Sequence, residues 1–316
     1  MKIAIVSGAD HKYYAMLLEW IHSVKRAMPE SINADLCILD AGLKPEQKDK
    51  LSLLVKQIKA PDWPENVSTA RVKGKEYLKA CAARPFIREL FPGYDVYVWL
   101  DGDTWVQDWS AVDLLIRGAQ KSGLAICPQT DRAYGKAMRI KWLGPIPFKP
   151  RSFYYSNAKK AFNGKIARSL FPYAALNAGV FALSATAPHW ERWQELIVQA
   201  LKKGKVFTAE QLTLGMIVYL EKYPAEFLPA WCNWLLTNKP AWDEKNKHFV
   251  EPFLPHTPIG IMHLSGCDTM RLNRNIKESI TTTNGDIVTM TYRYPWYDGQ
   301  EDKPLSSPLL SKEIAS

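Results

Sequence analysis

The feature that most constrains this chain is a rhythm in its N-terminal part: short apolar, β-branched runs alternate with stretches of helical spacing. Residues 2–8 read as a strand that Gly8-Ala9-Asp10 breaks. From 13 to 27 the apolar residues Tyr14, Leu17, Leu18, Ile21 and Val24 recur on one helical face. A second strand over 35–40 ends at Ala41-Gly42; Pro45 to Val55 reads as a helix and 55–60 as a third strand. A β-α-β-α-β order of this kind implies parallel strands with right-handed crossovers, hence an α/β fold. The rhythm continues with a helix over 75–90, a strand over 95–100, a helix over 112–122 and a strand over 124–127. After a long segment of weak periodicity, 128–175, come a strand over 176–183, helices over 189–203 and 208–222, a short strand over 260–264 and a late strand or hairpin arm over 287–294. The last stretch, 301–316, is polar and reads as a frayed tail.

Open α/β sheets bind ligands beyond the carboxyl ends of their strands. The stretch 96-VYVWLDGDTWVQD-108 therefore stands out, because an apolar strand runs straight into Asp101-Gly102-Asp103. Asp10 and Asp40 follow the first two strands and bring further acids toward the same edge. Acids so gathered repel one another unless a cation or hydrogen bonds compensate. Mg2+ or Mn2+ would do so, taking oxygen ligands and bridging phosphates; simple solvation of exposed acids is the competing reading. Two later stretches are companions to the pair. One is 176-LNAGVFALS-184, a small-residue turn opening a strand, and the other is 259-IGIMHLSGCDTM-270, where His263 offers an imidazole ligand.

Composition narrows the rest. With 316 residues, 47% of them hydrophobic, the chain can build one sizeable core, as a single large domain or a domain with an appendage. No apolar run approaches the roughly 20 residues that span a bilayer, and the apolar part of MKIAIVSGADHKYY is too short for a signal peptide. Five scattered cysteines without a CxxC pair argue against zinc or a disulfide framework and for a reduced, cytoplasmic setting. A net charge of +9 suits phosphate-bearing substrates, an anionic membrane face or nucleic acid, although no nucleic-acid module pattern is visible.

Taken in order, the motifs resemble those of glycosyltransferase family 8, the retaining family that contains glycogenin, plant galactinol synthases and bacterial lipopolysaccharide galactosyl- and glucosyltransferases. The likeness runs over roughly residues 2–270. It rests on IVSGADHKYY, on 38-ILDAGL-43, on Arg84 before the acidic strand, on Asp101-Gly102-Asp103 as a DxD motif, on Asn177-Ala178-Gly179-Val180, on Glu210-Gln211 and on His263-Leu264-Ser265-Gly266 as an HxxG motif.

The resemblance implies a GT-A fold over 1–270, with 128–175 as an acceptor-side lid or loop and 271–316 as a C-terminal extension. It implies a hexosyltransferase that takes its sugar from a UDP-sugar, with a saccharide or lipopolysaccharide core as acceptor. Asp101, Asp103 and His263 would hold Mn2+ or Mg2+. Ser7, Gly8, Ala9, Asp10 and Tyr13 would seat the base, and Gly102 would let the ribose approach. Arg84, Asn177 and Ala178 would contact the donor, and Gly266 of the HxxG motif would belong to the same nucleotide-sugar-binding set. Gln211 would lie under the anomeric carbon, with Glu210 beside it bonding sugar hydroxyls. A poor nucleophile at Gln211 favours front-face attack, with Glu210 as the alternative covalent nucleophile. The chain departs from the family where HxxGxxKPW would place a lysine: Thr269 stands there, and Arg271 is the candidate to stabilise the diphosphate from a shifted position.

On the acceptor side, Asp131, Tyr134, Trp142, Tyr154 and Tyr155 are candidates for sugar stacking and hydrogen bonding. Arg271, Arg274, Lys277, Trp296 and Tyr297 suggest a basic-aromatic dock for a polymer or for peripheral association with an inner membrane. Two further readings stay open at this stage: a nucleotidyltransferase on a similar sheet, and a non-catalytic basic module that binds nucleic acid or membrane.

Overall fold

The structure is a computed structural model that describes residues 1–65, 67–134 and 139–295. Its centre is a seven-stranded sheet. In chain order its strands are β1 (Ile3–Ala9), β2 (Ala34–Asp40), β3 (Gln57–Lys59), β4 (Val96–Leu100), β5 (Leu124–Pro128), β6 (Leu176–Ser184) and β7 (Glu226–Phe227). Across the sheet they lie in the order β7-β5-β6-β4-β1-β2-β3. All neighbouring pairs are parallel except those of β6, which runs antiparallel to both β4 and β5.

Both faces of the sheet are covered, which explains why β1 and β4 read as continuous apolar runs rather than alternating ones. Side chains alternate between two packed layers. Ile3 and Ile5 join Leu17, Leu18, Ile21 and Val24 of the helix Tyr14–Ala27 on one face. Ala4 and Val6 join Leu78, Ala82 and Ile87 on the other.

Two topological facts place the functional corner. Because β6 is reversed, its first residues lie beside the last residues of β4: Leu100 pairs with Val180, and the Asp101 amide donates to the Gly179 carbonyl at 2.8 Å. A small second sheet lines up Trp234–Leu235, Ile261–His263 and Thr104–Val106 in that order. It sets His263 opposite Thr104, and the Leu264 amide donates to the Asp103 carbonyl at 2.9 Å.

The expected helix over 75–90 is broken into Leu78–Ala83, a 3-10 turn at Arg84–Phe86 and Ile87–Leu90. Pro85 lacks an N–H and cannot continue an α-helical ladder, so the turn tightens there. The segment 128–175 is also more ordered than its weak periodicity suggests. It contains a hairpin, Arg139–Leu143 with Ile146–Arg151, and two helices, Phe153–Ala161 and Gly164–Leu170. Both helices are capped: Ser152 accepts from the Tyr155 amide, and Asn163 accepts from the amides of Lys165 and Ile166. The late strand is a hairpin arm, Ile287–Met290 paired with Glu278–Thr281.

Residues 271–295 pack onto the main body. Ile280, Tyr292 and Tyr294 join the same core layer as β1, and the Trp105 indole donates to the Tyr292 carbonyl at 2.8 Å. The tie is ionic as well. Glu19, buried in the first helix, accepts from the Arg293 guanidinium at 2.7 Å through both oxygens and from Arg274 at 3.0 Å. Arg274 is therefore engaged inward, whereas Lys277 is exposed; Trp296, Tyr297 and the tail 301–316 lie outside the described residues. No helix among the described residues is long and apolar enough to cross a membrane.

Removing one partner of a buried ion pair leaves the other charge desolvated and unpaired, at a cost of about 3–5 kcal/mol. Glu19→Ala strands Arg293, itself only 3% exposed. Its urea unfolding midpoint is expected to fall by the equivalent of that range. A midpoint within experimental error of the parent would show that the C-terminal segment is not held by this pair.

Candidate active site

At the corner defined by these strands, Asp101, Asp103 and His263 each offer a ligand atom, and the three atoms lie within 4.8 Å of one another. The carboxylates are half-buried and His263 is buried. One oxygen of Asp101 is already committed, since Oδ1 accepts from Arg84 at 2.5 Å and from the Trp99 indole at 2.7 Å. Oδ2 carries no such bond and faces Gly179, where an added Cβ would stand 2.7 Å from it and 2.6 Å from His263 Cε1. Glycine at 179 is what keeps this space open.

The orientation of His263 follows from a chain of amides. Asn177 Oδ1 accepts from the Gly179 amide at 2.9 Å and from Asn233 Nδ2 at 3.1 Å. With Asn233 Nδ2 donating there, its Oδ1 accepts from His263 Nδ1 at 2.8 Å. The imidazole proton is thereby held on Nδ1, and Nε2, 3.4 Å from Asp103 Oδ1, keeps its lone pair toward the carboxylates. Asp103 is also paired with Arg271 at 2.7 Å. Burial opposes its ionisation, but a protonated, donating His263 and Arg271 more than offset that and bring its pKa down to about 2; with the ring neutral, as a metal ligand must be, Arg271 alone acts in this sense. Burial raises the pKa of Asp101, with Arg84 pulling the other way.

Arg84 is the hub behind this pair. Its guanidinium lies over the Trp99 ring at 4.9 Å and donates to the Ala178 carbonyl at 2.8 Å and to Glu210 at 3.3 Å. Glu210 is 3% exposed and its Oε2 has no hydrogen-bond partner. Burial pushes its pKa up to about 7, against the pull of Arg84. The next residue, Gln211, is half-buried, and its Oε1 accepts from the Ala178 amide at 3.4 Å.

The end of β1 forms the adjoining wall. A Cβ on Gly102 would come within 2.9 Å of the Gly8 carbonyl, and one on Gly8 within 3.0 Å of the Ala80 Cβ, so both glycines serve close approach. Ser7 is fully buried with an unpartnered Oγ, and Ala9 is buried beside it. Asp10 Oδ1 accepts from the amides of Lys12 and Tyr13, which sets the turn into the first helix. Tyr13 is half-buried and hydrogen-bonds Arg271. Arg271 also donates to the Leu264 carbonyl at 2.8 Å. Gly266 adopts a φ of +81°, a region that favours glycine.

Not every expected acid converges on this corner. Asp40 caps its own turn through the amides of Gly42 and Leu43 and pairs with Lys48 at 3.4 Å. The acceptor-side candidates also part company. Tyr154 is fully buried and its hydroxyl accepts from the Leu176 amide, so it is a core residue and not a sugar platform. Asp131 bonds the amides of Ala133 and Ala230, and Tyr155 packs edge-on against Phe171. Tyr134 donates to the Asn233 carbonyl at 3.2 Å, behind the His263 support, while Trp142 is exposed on the hairpin. Asn233 and Trp99 are the residues that the sequence reading passed over. Asn233 lies in the stretch WCNW, where no spacing or motif marks it.

The fold, with its acid pair and histidine at one sheet edge, matches a class of sugar-transferring enzymes. The family model for glycosyl transferase family 8 matches residues 4–257, and the chain belongs to that family. No curated protein sequence matches it. Among solved structures, an active-site mutant of LgtC is 17% identical with a TM-score of 0.50, over 83% of this chain and 87% of that one. The apo structure of the bifunctional glycosyltransferase WbbM is 18% identical with a TM-score of 0.51, over 84% of this chain and 46% of that longer one. At such identities the likeness speaks for the fold, which is GT-A, and the family match makes the protein a glycosyltransferase.

A carboxyl whose pKa is higher in the folded than in the unfolded chain binds its proton more tightly when folded. Stability contributed by that proton is therefore lost as pH rises from the unfolded to the folded value. For Glu210 the window runs from the ordinary 4.5 to about 7. Glu210→Gln removes this dependence. Relative to the parent, its unfolding free energy is expected to rise by on the order of 1–3 kcal/mol between the two ends of that window. A difference that stays flat across the window would place the carboxyl's pKa near its ordinary value.

Proposed function

We propose that the protein is a retaining hexosyltransferase that moves a sugar from a nucleotide diphospho-sugar, UDP-glucose or UDP-galactose, to a saccharide or glycolipid acceptor such as a lipopolysaccharide core. The observation that carries this reading is the gathering of Asp101, Asp103 and His263 within 4.8 Å at the corner where β4, β6 and the small sheet meet. Two carboxylates and one imidazole are a donor set that suits Mn2+ or Mg2+, and the hydrogen of Gly179 leaves the space between them clear. When bound, such an ion would offset the charge that grows on the departing diphosphate.

The protein's own groups supply the rest. Arg271, fixed to Asp103 and to Tyr13, sits where a diphosphate would approach the acids, and its planar fork suits phosphate oxygens. In this reading it stands in for the lysine that Thr269 replaces. Arg84 holds Asp101 in place, and its contact with the Ala178 carbonyl fixes the first turn of β6 against the donor pocket. Ser7, Gly8, Ala9, Asp10 and Tyr13 shape the wall that would receive the nucleoside, with Gly102 allowing close approach.

Of the two neighbours, Gln211 is the more accessible, half-buried with its Oε1 bonded to the Ala178 amide, and in this reading it serves the reacting sugar. Glu210 is nearly inaccessible and lies behind Arg84, with a carboxyl that burial favours in its neutral form. Neither feature suits a covalent nucleophile. Front-face transfer needs none: the acceptor hydroxyl enters on the leaving-group side and its proton passes to the departing diphosphate. Gln211 would then position and stabilise the reacting sugar.

Incubation with UDP-glucose and UDP-galactose tests the reading directly. UDP release is expected with Mn2+ and is expected to stop on chelation; no release with any nucleotide sugar would refute the proposal. Asn233→Ala removes the partner of His263 Nδ1, and the Mn2+ concentration for half-maximal release is expected to rise about 10–100-fold. Gln211→Ala is expected to retain measurable turnover. Complete loss with donor binding intact would favour a covalent route instead.

A further inference from the structure

A second cleft lies between the segment that leads into Arg84 and the segment that leads into Gln211. Its volume is about 360 Å3, within the roughly 300–1,000 Å3 of small-molecule sites. One wall is Lys75, Tyr77 and Leu78, at the start of the helix Leu78–Ala83 that runs into the turn Arg84–Phe86. The other wall is Gly204 to Phe207, from which the 3-10 turn Val206–Thr208 enters the helix Ala209–Tyr219, with Glu210 and Gln211 in its first turn. The helix of the first wall packs against the turn of the second. That helix also backs onto β1, since a Cβ on Gly8 would stand 3.0 Å from the Ala80 Cβ.

The charge of this cleft is one-sided. Arg71, Lys75, Lys160 and Lys205 line it, and none of its lining residues is acidic. The three lysines are exposed and make no ion pair or side-chain hydrogen bond among the described residues. Arg71 is half-buried, and its guanidinium donates to the carbonyls of Leu201, Lys202 and Gly204. Those carbonyls fix its place but leave its charge uncancelled. The surroundings do not supply the missing counter-charge. Residues 152–170 and 198–207 hold no Asp or Glu, and Glu76, beside Lys75 in the chain, is paired with Lys79 at 3.1 Å. Like charges gathered around one cleft repel, and an anion seated among them relieves the repulsion. A phosphate suits this set, because each lysine brings a point charge with rotatable donors. The lining has an apolar part as well. Leu78, Gly204 and Val206 are buried in it, while Tyr77 and Phe207 are 46% and 64% exposed. Exposed rings next to cations suit a sugar ring that carries a phosphate; a phosphate ion alone would leave both rings unused.

We infer that this cleft is an acceptor subsite that holds a phosphate group borne by the acceptor, with the adjoining sugar ring against Tyr77 and Phe207. On the transferase reading above, on which this assignment rests, the acceptor is thereby narrowed to a phosphorylated saccharide. The donor's own diphosphate has its place elsewhere, at the corner of Asp101, Asp103 and Arg271.

Calorimetric titration of the full chain with glucose 6-phosphate, glucose and inorganic phosphate tests it, with UDP and Mg2+ at saturation so that the diphosphate corner is filled. Glucose 6-phosphate is expected to bind on the order of tenfold or more tighter than glucose. The double variant Lys160→Ala, Lys205→Ala is expected to weaken that binding by on the order of tenfold or more. Phe207→Ala is expected to weaken glucose 6-phosphate and to leave inorganic phosphate unchanged. The circular dichroism of both variants and their affinity for UDP are expected to match the parent, so a loss of binding is not a loss of fold or of the donor site. Equal affinity for glucose and glucose 6-phosphate, loss of glucose 6-phosphate binding when UDP is added, or undiminished binding by the double variant would each overturn the inference. So would equal affinity for inorganic phosphate and glucose 6-phosphate in both the parent and Phe207→Ala, which would make this a site for free phosphate. UDP release, assayed separately, reports on the reaction: glucose 6-phosphate bound in the cleft of a protein that releases no UDP would uphold the phosphosugar site and refute the transferase reading.

Discussion

The site depends first on how buried negative charge is compensated. Asp101 and Asp103 are drawn into one corner of the sheet edge beside the buried Glu210, and two guanidinium groups, Arg84 and Arg271, answer them. Arg84 lies between Asp101 and Glu210 with its plane over Trp99, and Arg271 answers Asp103 from the other side. Buried carboxylates without such partners would protonate or move apart. With these partners in place, Asp101 Oδ2 and His263 Nε2 are left facing a space that Gly179 keeps clear.

Topology brings these groups together from distant parts of the chain. Parallel β1, β2 and β4 deliver their carboxyl ends to one edge, and the reversed β6 brings its amino end to the same place. Asn177, Ala178 and Gly179 thus meet Asp101 although more than 70 residues separate them. The small sheet does the same for His263, and Asn233 links the two arrangements by bonding both Asn177 and His263. The geometry of the imidazole is set by this amide relay and not by its own strand alone.

Much of this was legible from residue order. The apolar runs of β1, β2 and β4 are long enough and pure enough to be read as buried strands, and the acids that end β4 break the pattern abruptly. Asp101, Asp103 and His263 were selected from such positions, and they do lie together. What periodicity could not show is which polar groups are spent locally: Asp40 looks equivalent to Asp101 in sequence, but the two amides that follow it take up its carboxylate. Tyr154 looks like a surface aromatic in a polar segment, yet two capped helices bury it. The caps Ser152 and Asn163 were readable signals for those helices, whereas their short apolar stripes were too brief for the 3.6-residue period to register. Glu19 gave no sign of its partners, because Arg274 and Arg293 lie more than 250 residues away.

The central claim is that Asp101, Asp103 and His263 act together as the seat of a divalent cation that a nucleotide's diphosphate then meets. Anomalous diffraction at the manganese edge, from crystals grown with Mn2+ and UDP, tests it most directly. The account predicts a single strong peak bounded by those three side chains, with the diphosphate on its open side and Arg271 in contact with it. A peak elsewhere, or diphosphate bound at this corner with no anomalous signal between the three residues, would contradict it.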